Sequence, residues 1–188
     1  MKKSSIIIPI GAAALCMTGC STPQKVVTPP PTVKEPAVDT FEIHPVEMPS
    51  EVLTIANGLK VLKQPELAPQ LLAKQEYKSK KDYKVNRLND YDIMYYKNCR
   101  LPKVLSNGAY EDLPKALKKG ISSYVGISSG GVEIGVFNNK AYQSLIDQVT
   151  GAGFKLAADG YEQEYSNGVY SVYCYASGRR VRITHTVR

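Results

Sequence analysis

Tryptophan is absent from this 188-residue chain and phenylalanine occurs three times, so 13 tyrosines supply nearly all of its aromatic surface. Histidine is almost as scarce, with only His44 and His185. No Cys-x-x-Cys sets metal-ligand spacing, so a zinc site is not expected. H-E-x-x-H, a phosphate loop and a dinucleotide fingerprint are all missing, which removes the commonest metallohydrolase and nucleotide-binding readings. We expect neither metal nor cofactor. A long apolar run is lacking too. The best stretch, Ile6 to Leu15, is broken by Pro9 and Gly11 and is too short to cross a bilayer as a helix.

That short apolar stretch has a different use. Lys2 and Lys3 precede it as a positive n-region, so residues 1–19 read as an export signal. Met17-Thr18-Gly19-Cys20 follows directly and resembles the lipobox of bacterial lipoproteins, where small residues precede a cysteine that becomes the acylated N-terminus. The resemblance covers the signal alone. It implies lipidation at Cys20 and attachment to a membrane, since several acyl chains together hold where one is marginal. Ser21 after the cysteine, in place of aspartate, implies sorting to the outer membrane, with the periplasmic face favoured over the cell surface.

Residues 20–50 hold seven prolines, including Pro29-Pro30-Pro31, and one aromatic, Phe41. Such a composition buries too little apolar surface to offset its ordering entropy and reads as a solvated tether. Charge divides at the same boundary. The tether has two lysines and four acids, whereas residues 51–188 carry 20 basic and 13 acidic side chains. A basic domain suggests an acidic partner such as anionic lipid, peptidoglycan or an acidic protein; solvated lysines explain the charge equally well. Export makes nucleic acid an unexpected partner.

With Cys16 in the signal and Cys20 consumed by lipid, Cys99 and Cys174 remain. An even pair in an oxidising compartment predicts a disulfide, worth about 4.5 kcal/mol on the chain-entropy account.

Residues 51–188 read as one α+β domain, with 51–120 mostly helical and 121–188 a sheet with one helix. Ser50 is the expected N-cap of a first helix in which Val52, Ile55, Ala56, Leu59 and Leu62 share a face. A second helix carrying Leu67, Leu71, Leu72 and Gln75 follows Gln64-Pro65. Lys74 to Arg87 holds six cations and two acids and reads as a solvated face. Tyr83 to Lys97 fits a hairpin turning at Asn89-Asp90, and Glu111 to Lys119 a short helix ended by Gly120. Strands 121–127 and 132–137 come next, then a helix capped by Asn138 or Asn139 and ended by Gly151 and Gly153. Strands 154–165, 169–176 and 179–187 complete a ββαβββ antiparallel sheet, with turns at Asn167-Gly168 and Ser177-Gly178 and a bulge or split at Asp159-Gly160.

Alternation in the last two strands sets Tyr173 and Tyr175 on one side and Cys174 on the other, and separates Arg180 and Arg182 from Val181 and Ile183. If Cys174 faces the core, Tyr173, Tyr175, Arg180 and Arg182 form an outer surface of the residue types most enriched at binding hot spots. If instead the tyrosines face the helix, they are core. One enzyme pattern competes. Gly126-Ile127-Ser128-Ser129-Gly130 matches G-x-S-x-G, with Asp159 and His185 following in hydrolase order. That motif requires a helix after the serine, and here a strand follows, so a hairpin loop accounts for it and no catalytic residues are expected. The expectation is a non-enzymatic binding lipoprotein, an accessory of an outer-membrane or trans-envelope assembly such as a secretion, conjugation or pilus system. The alternative is an inhibitor or immunity-type lipoprotein that blocks an envelope hydrolase or an invading factor.

Overall fold

A computed structural model of the chain describes residues 52–117 and 122–186. The expected signal, Cys20, the expected tether, Ser50 and Lys118 to Ile121 lie outside the described residues. Helix α1 is Ile55–Lys63, and the hydroxyl of Thr54, one turn after the expected cap, accepts the Asn57 amide at 3.2 Å. Ile55 and Val61 are buried and Leu59 and Leu62 partly so, as their helical spacing requires. A 3-10 turn, Pro65–Leu67, leads to α2, Ala68–Ala73. This helix is shorter than the apolar spacing suggests, because Glu76 turns into the left-handed region (φ 62°) and the chain leaves as a strand.

Strands β1 (Lys78–Lys84) and β2 (Asp90–Lys97) form the expected hairpin, beginning five residues earlier than Tyr83. Its alternation breaks once. Asp82 lies at φ 53° and drops out of the pairing, so Tyr83 and Tyr91 join one core while Ile93 and Tyr95 join the other. Two-residue strands β3 (Cys99–Arg100) and β4 (Lys115–Ala116) pair with each other. Residues 111–117 are not the expected helix. Pro114 supplies no amide donor there, and Glu111 donates its amide to Lys103, which holds the segment as a loop.

The remaining strands are β5 (Ser123–Ser128), β6 (Gly131–Val136), β7 (Lys155–Ala158), β8 (Gln163–Ser166), β9 (Tyr170–Tyr175) and β10 (Arg180–His185). Helix α3 (Asn139–Gly151) follows β6, and the Asn138 side chain accepts the Ala141 amide at 2.7 Å. The expected strand over 154–165 is two strands, separated at Asp159–Glu162, and Gly168 takes φ 86° in the β8–β9 turn. Among the described residues the architecture is α+β, with eight strands in the order β1-β2-β5-β6-β10-β9-β8-β7, every neighbour antiparallel. The last strand slots between β6 and β9 rather than extending an edge.

The helices cover one sheet face. Val125, Ile134, Val172, Val181 and Ile183 meet Ile55, Val61, Leu72, Leu145 and Val149 there, each essentially inaccessible and together the main core. The opposite face is covered only over β1, β2, β5 and the end of β6. The chain from Leu101 to Leu113 folds across it and buries Tyr83, Val85, Tyr91, Met94, Tyr110 and Tyr124. Tyr83 and Tyr110 stack with centroids 4.1 Å apart, and the Tyr83 hydroxyl donates to the Asp112 carbonyl at 2.9 Å.

Cys99 and Cys174, expected to pair, are separate buried thiols. The Cys99 thiol donates to the Ser123 carbonyl at 3.5 Å, at the start of β5, whereas Cys174 lies on β9 inside the helix-side core. Strands β5 and β9 are three spacings apart in the sheet, roughly 14 Å, and a disulfide spans Cα atoms no more than about 7 Å apart.

Candidate binding face

What the Leu101–Leu113 cover leaves open is the outer face of β10, β9 and β8. The turns on either side of β9 fix which side chains meet there. Arg180 pairs with Tyr175 and Gly135, Arg182 with Tyr173 and Glu133, and Thr184 with Ser171. Cys174, Val181 and Ile183 are buried on the helix side, so Tyr173, Tyr175, Arg180 and Arg182 share the outer face, each only partly buried. The arrangement with tyrosines against α3 is not the one adopted.

Each arginine lies over its cross-strand tyrosine. The guanidinium of Arg180 is 4.9 Å from the Tyr175 ring centre and that of Arg182 is 4.9 Å from Tyr173. Carboxylates complete the ladder. Arg182 donates to Glu162 at 2.8 Å, and Glu164 accepts from Ser171 at 2.8 Å and Tyr173 at 3.3 Å. Burial, and then the Glu164 charge, push the Tyr173 hydroxyl up. Tyr161 packs on Tyr175 at 4.8 Å and donates to its hydroxyl at 2.7 Å, while itself 81% exposed. The Nε of Arg182 is buried and has no hydrogen-bond partner among the described residues.

Glu133 lies at the centre, a charged residue only 5% exposed in the middle of an apolar strand. Arg180 stands 3.5 Å from it and Tyr124 donates to it at 3.4 Å. Tyr91 lies close enough for its hydroxyl to feel the Glu133 charge. Burial first, and the Glu133 charge second, push the Tyr91 and Tyr124 hydroxyls up, so both remain protonated donors at neutral pH. Two glycines admit these rings. A Cβ at Gly126 would fall on the Tyr91 ring, and one at Gly135 on Tyr124. Gly126 of the G-x-S-x-G pattern therefore has a packing role.

Two hollows flank the ladder. One, of about 420 Å³, is lined by Asp90, Tyr91, Ser128, Glu133, Arg182 and Thr184; the other, of about 300 Å³, by Leu113, Tyr124, Phe137, Tyr175 and Arg180. They adjoin at Leu88, which is 56% exposed.

The structure does not assemble Ser128, Asp159 and His185. Asp159 follows β7, five strand spacings (roughly 24 Å) from Ser128 on β5. The Ser128 hydroxyl donates to the Gly131 carbonyl at 3.4 Å, and His185 stacks on Tyr170 at 5.2 Å. A cavity of about 270 Å³ beside α1 is lined in part by His185, Asp92, Ser128 and Ser129, but among the described residues no hydrogen bond joins the histidine to the others. No group of three or more metal-ligating side chains occurs among the described residues, and none of their helices is long and apolar enough to cross a membrane.

Alternation in the sequence grouped the four tyrosine and arginine positions, leaving outer face and core both open, but passed over Glu133, Tyr91, Tyr124, Tyr161 and Leu88. One signal was available. A lone glutamate in Val132-Glu133-Ile134-Gly135-Val136, a run otherwise apolar, demands a buried cation. No family model, curated protein or solved structure matches this chain.

Proposed function

We propose that the chain is a non-enzymatic binding protein, exported and anchored in the outer membrane through an acylated Cys20, on its periplasmic side. It carries a protein partner on the open tyrosine–arginine face, as an accessory of a trans-envelope or outer-membrane assembly of the secretion, conjugation or pilus kind. The observation that carries the binding half is the ladder itself. Tyr173, Tyr175, Arg180 and Arg182 are held in two stacked pairs on a half-covered sheet face, beside two hollows and the exposed Leu88. Ordering long side chains is a principal cost of association. Here the arginines are already aligned by ring, strand and carboxylate, so less remains to be ordered when a partner docks. Anchoring is supported by the signal and by Met17-Thr18-Gly19-Cys20.

The test uses the membrane-anchored protein captured from envelopes. Tyr173→Ala with Arg182→Ala should lose the partner by roughly thirtyfold or more, the usual loss when a hot spot is truncated, and should remain folded. A folded double variant that holds its partner as tightly as the parent rejects this face.

A further inference from the structure

The run from Lys74 to Arg87 becomes something specific in three dimensions. Its centre is β1, the outermost strand of the eight-stranded sheet; among the described residues one side of its backbone has no strand partner from Lys78 on, until the Lys84 carbonyl accepts the Tyr110 amide at 2.7 Å. Lys78, Lys80, Lys81 and Lys84 are all exposed along its seven residues, a line roughly 23 Å long. None forms an ion pair among the described residues. Glu76, just before the strand, Asp82 within it and Asp90 opposite Lys84 dilute the charge without reversing it. The other edge differs. Strand β7 has a single lysine, Lys155, with Leu156 half exposed beside it, and is blunted by shortness and a register shift. Positive charge is thus concentrated on one edge, far beyond what discouraging edge pairing requires of the other.

We propose that β1 is a docking edge for an anionic membrane surface, with the sheet standing on edge against lipid headgroups. Pleating sends Lys80 and Lys81 to opposite faces of the sheet, so a plane meeting the edge receives lysines from both sides. Their long stems reach down to it past the strand. An extended acidic polypeptide would engage the unpaired backbone as well, but would gain little from lysines splayed to both faces; a broad charged plane uses them all. The proposal rests on the membrane location argued above, but its test does not need the anchor.

The experiment takes the full chain carrying Cys20→Ser and sediments it with phosphatidylcholine vesicles, with or without about one third phosphatidylglycerol. Binding should require the anionic lipid and should weaken sharply in 0.5 M salt, where the screening length falls to about 4 Å. A lysine near such a surface contributes about fivefold in partitioning, so Lys78→Glu/Lys80→Glu/Lys81→Glu should lose on the order of a hundredfold. The same number of reversals elsewhere, Lys60→Glu/Lys140→Glu/Lys155→Glu, should lose much less. Glutamates keep the edge guarded against self-pairing, so lost binding without aggregation separates docking from mere edge protection. If the glutamate variant melts early, the Lys→Gln triple serves, with a loss of at least tenfold expected. Equal binding to neutral vesicles, equal losses in the two triple variants, or binding to polyglutamate but not to anionic vesicles would each overturn the proposal. None of these outcomes bears on whether Cys20 is acylated.

Discussion

Arg180→Ala should destabilise this domain far more than its place on the candidate binding face suggests. Its guanidinium lies 3.5 Å from Glu133, and the two side chains retain only 19% and 6% of their exposure. At an effective dielectric of 20, unit charges at that separation attract by about 5 kcal/mol. Removing arginine also relieves the cost of having partly buried it, so the net loss is smaller. Leaving one member of a buried pair alone costs about 3–5 kcal/mol, and the residual access at Arg180 puts the expectation near the lower figure. For a domain of this size about 3 kcal/mol lowers the melting temperature by roughly 10 °C. Tyr124 would still donate to Glu133, but a neutral donor does not replace a cation. Glu133→Gln in the same background should restore most of the loss, because the amide keeps the shape and the hydrogen bonds while removing the stranded charge. Urea titration of the Cys20→Ser chain, with both single variants and the double, closes the cycle. A loss below about 1 kcal/mol for Arg180→Ala, or a double variant no more stable than Arg180→Ala alone, would show that Glu133 does not depend on this cation.

Four further outcomes follow. Cys20→Ser should leave the protein unacylated and move it out of the membrane fraction, and unchanged mass and fractionation would remove the lipoprotein reading. Burial pushes the thiols up to about 11 at Cys99 and about 12 at Cys174, so neither should react with iodoacetamide at pH 8 until denaturant is added; fast native labelling of both contradicts their burial. The same shifts fix a pH trend. A thiol whose folded pKa is raised contributes stability that is whole below its ordinary value, near 9, and that is lost as pH climbs towards 11 and 12, as also for Tyr142, pushed up by burial to about 12. The urea midpoint should therefore hold to about pH 9 and decline above it. Finally, Gly135→Ala should cost about 1–3 kcal/mol because its methyl group falls on the Tyr124 ring, and a neutral result would mean that ring is free to move.

Much of the C-terminal half was legible because its signals are local. Asn138 caps α3 through the hydrogen bond that its residue type predicts, and Asn167-Gly168 turns where a left-handed glycine is needed. Alternation in β9 and β10 placed Tyr173, Tyr175, Arg180 and Arg182 together, since a two-residue period admits only two faces. The segment 78–117 was harder. Lys78 to Lys81 alternate in neither charge nor apolarity, and only pairing with β2 makes them a strand. Glu111 to Leu117 look helical by composition, yet tertiary hydrogen bonds and Pro114 hold a loop over the sheet.

Turns, caps and two-sided strands follow from the order of residues alone, because each depends on contacts within a few positions. Lys2-Lys3, Ile6 to Leu15 and Met17 to Cys20, on which the proposal of export and lipidation rests, are likewise read as linear strings. Tertiary structure decided what depends on strand order. Insertion of β10 between β6 and β9 brings Arg180 to Glu133, 47 positions away in the chain, and stations Cys174 three strands from the start of β5. It also leaves β1 and its lysines at the sheet edge, where among the described residues only Tyr110 bridges the strand's end. No local pattern encodes such an order, because it is set by which apolar faces the helices and the Leu101–Leu113 cover can bury together.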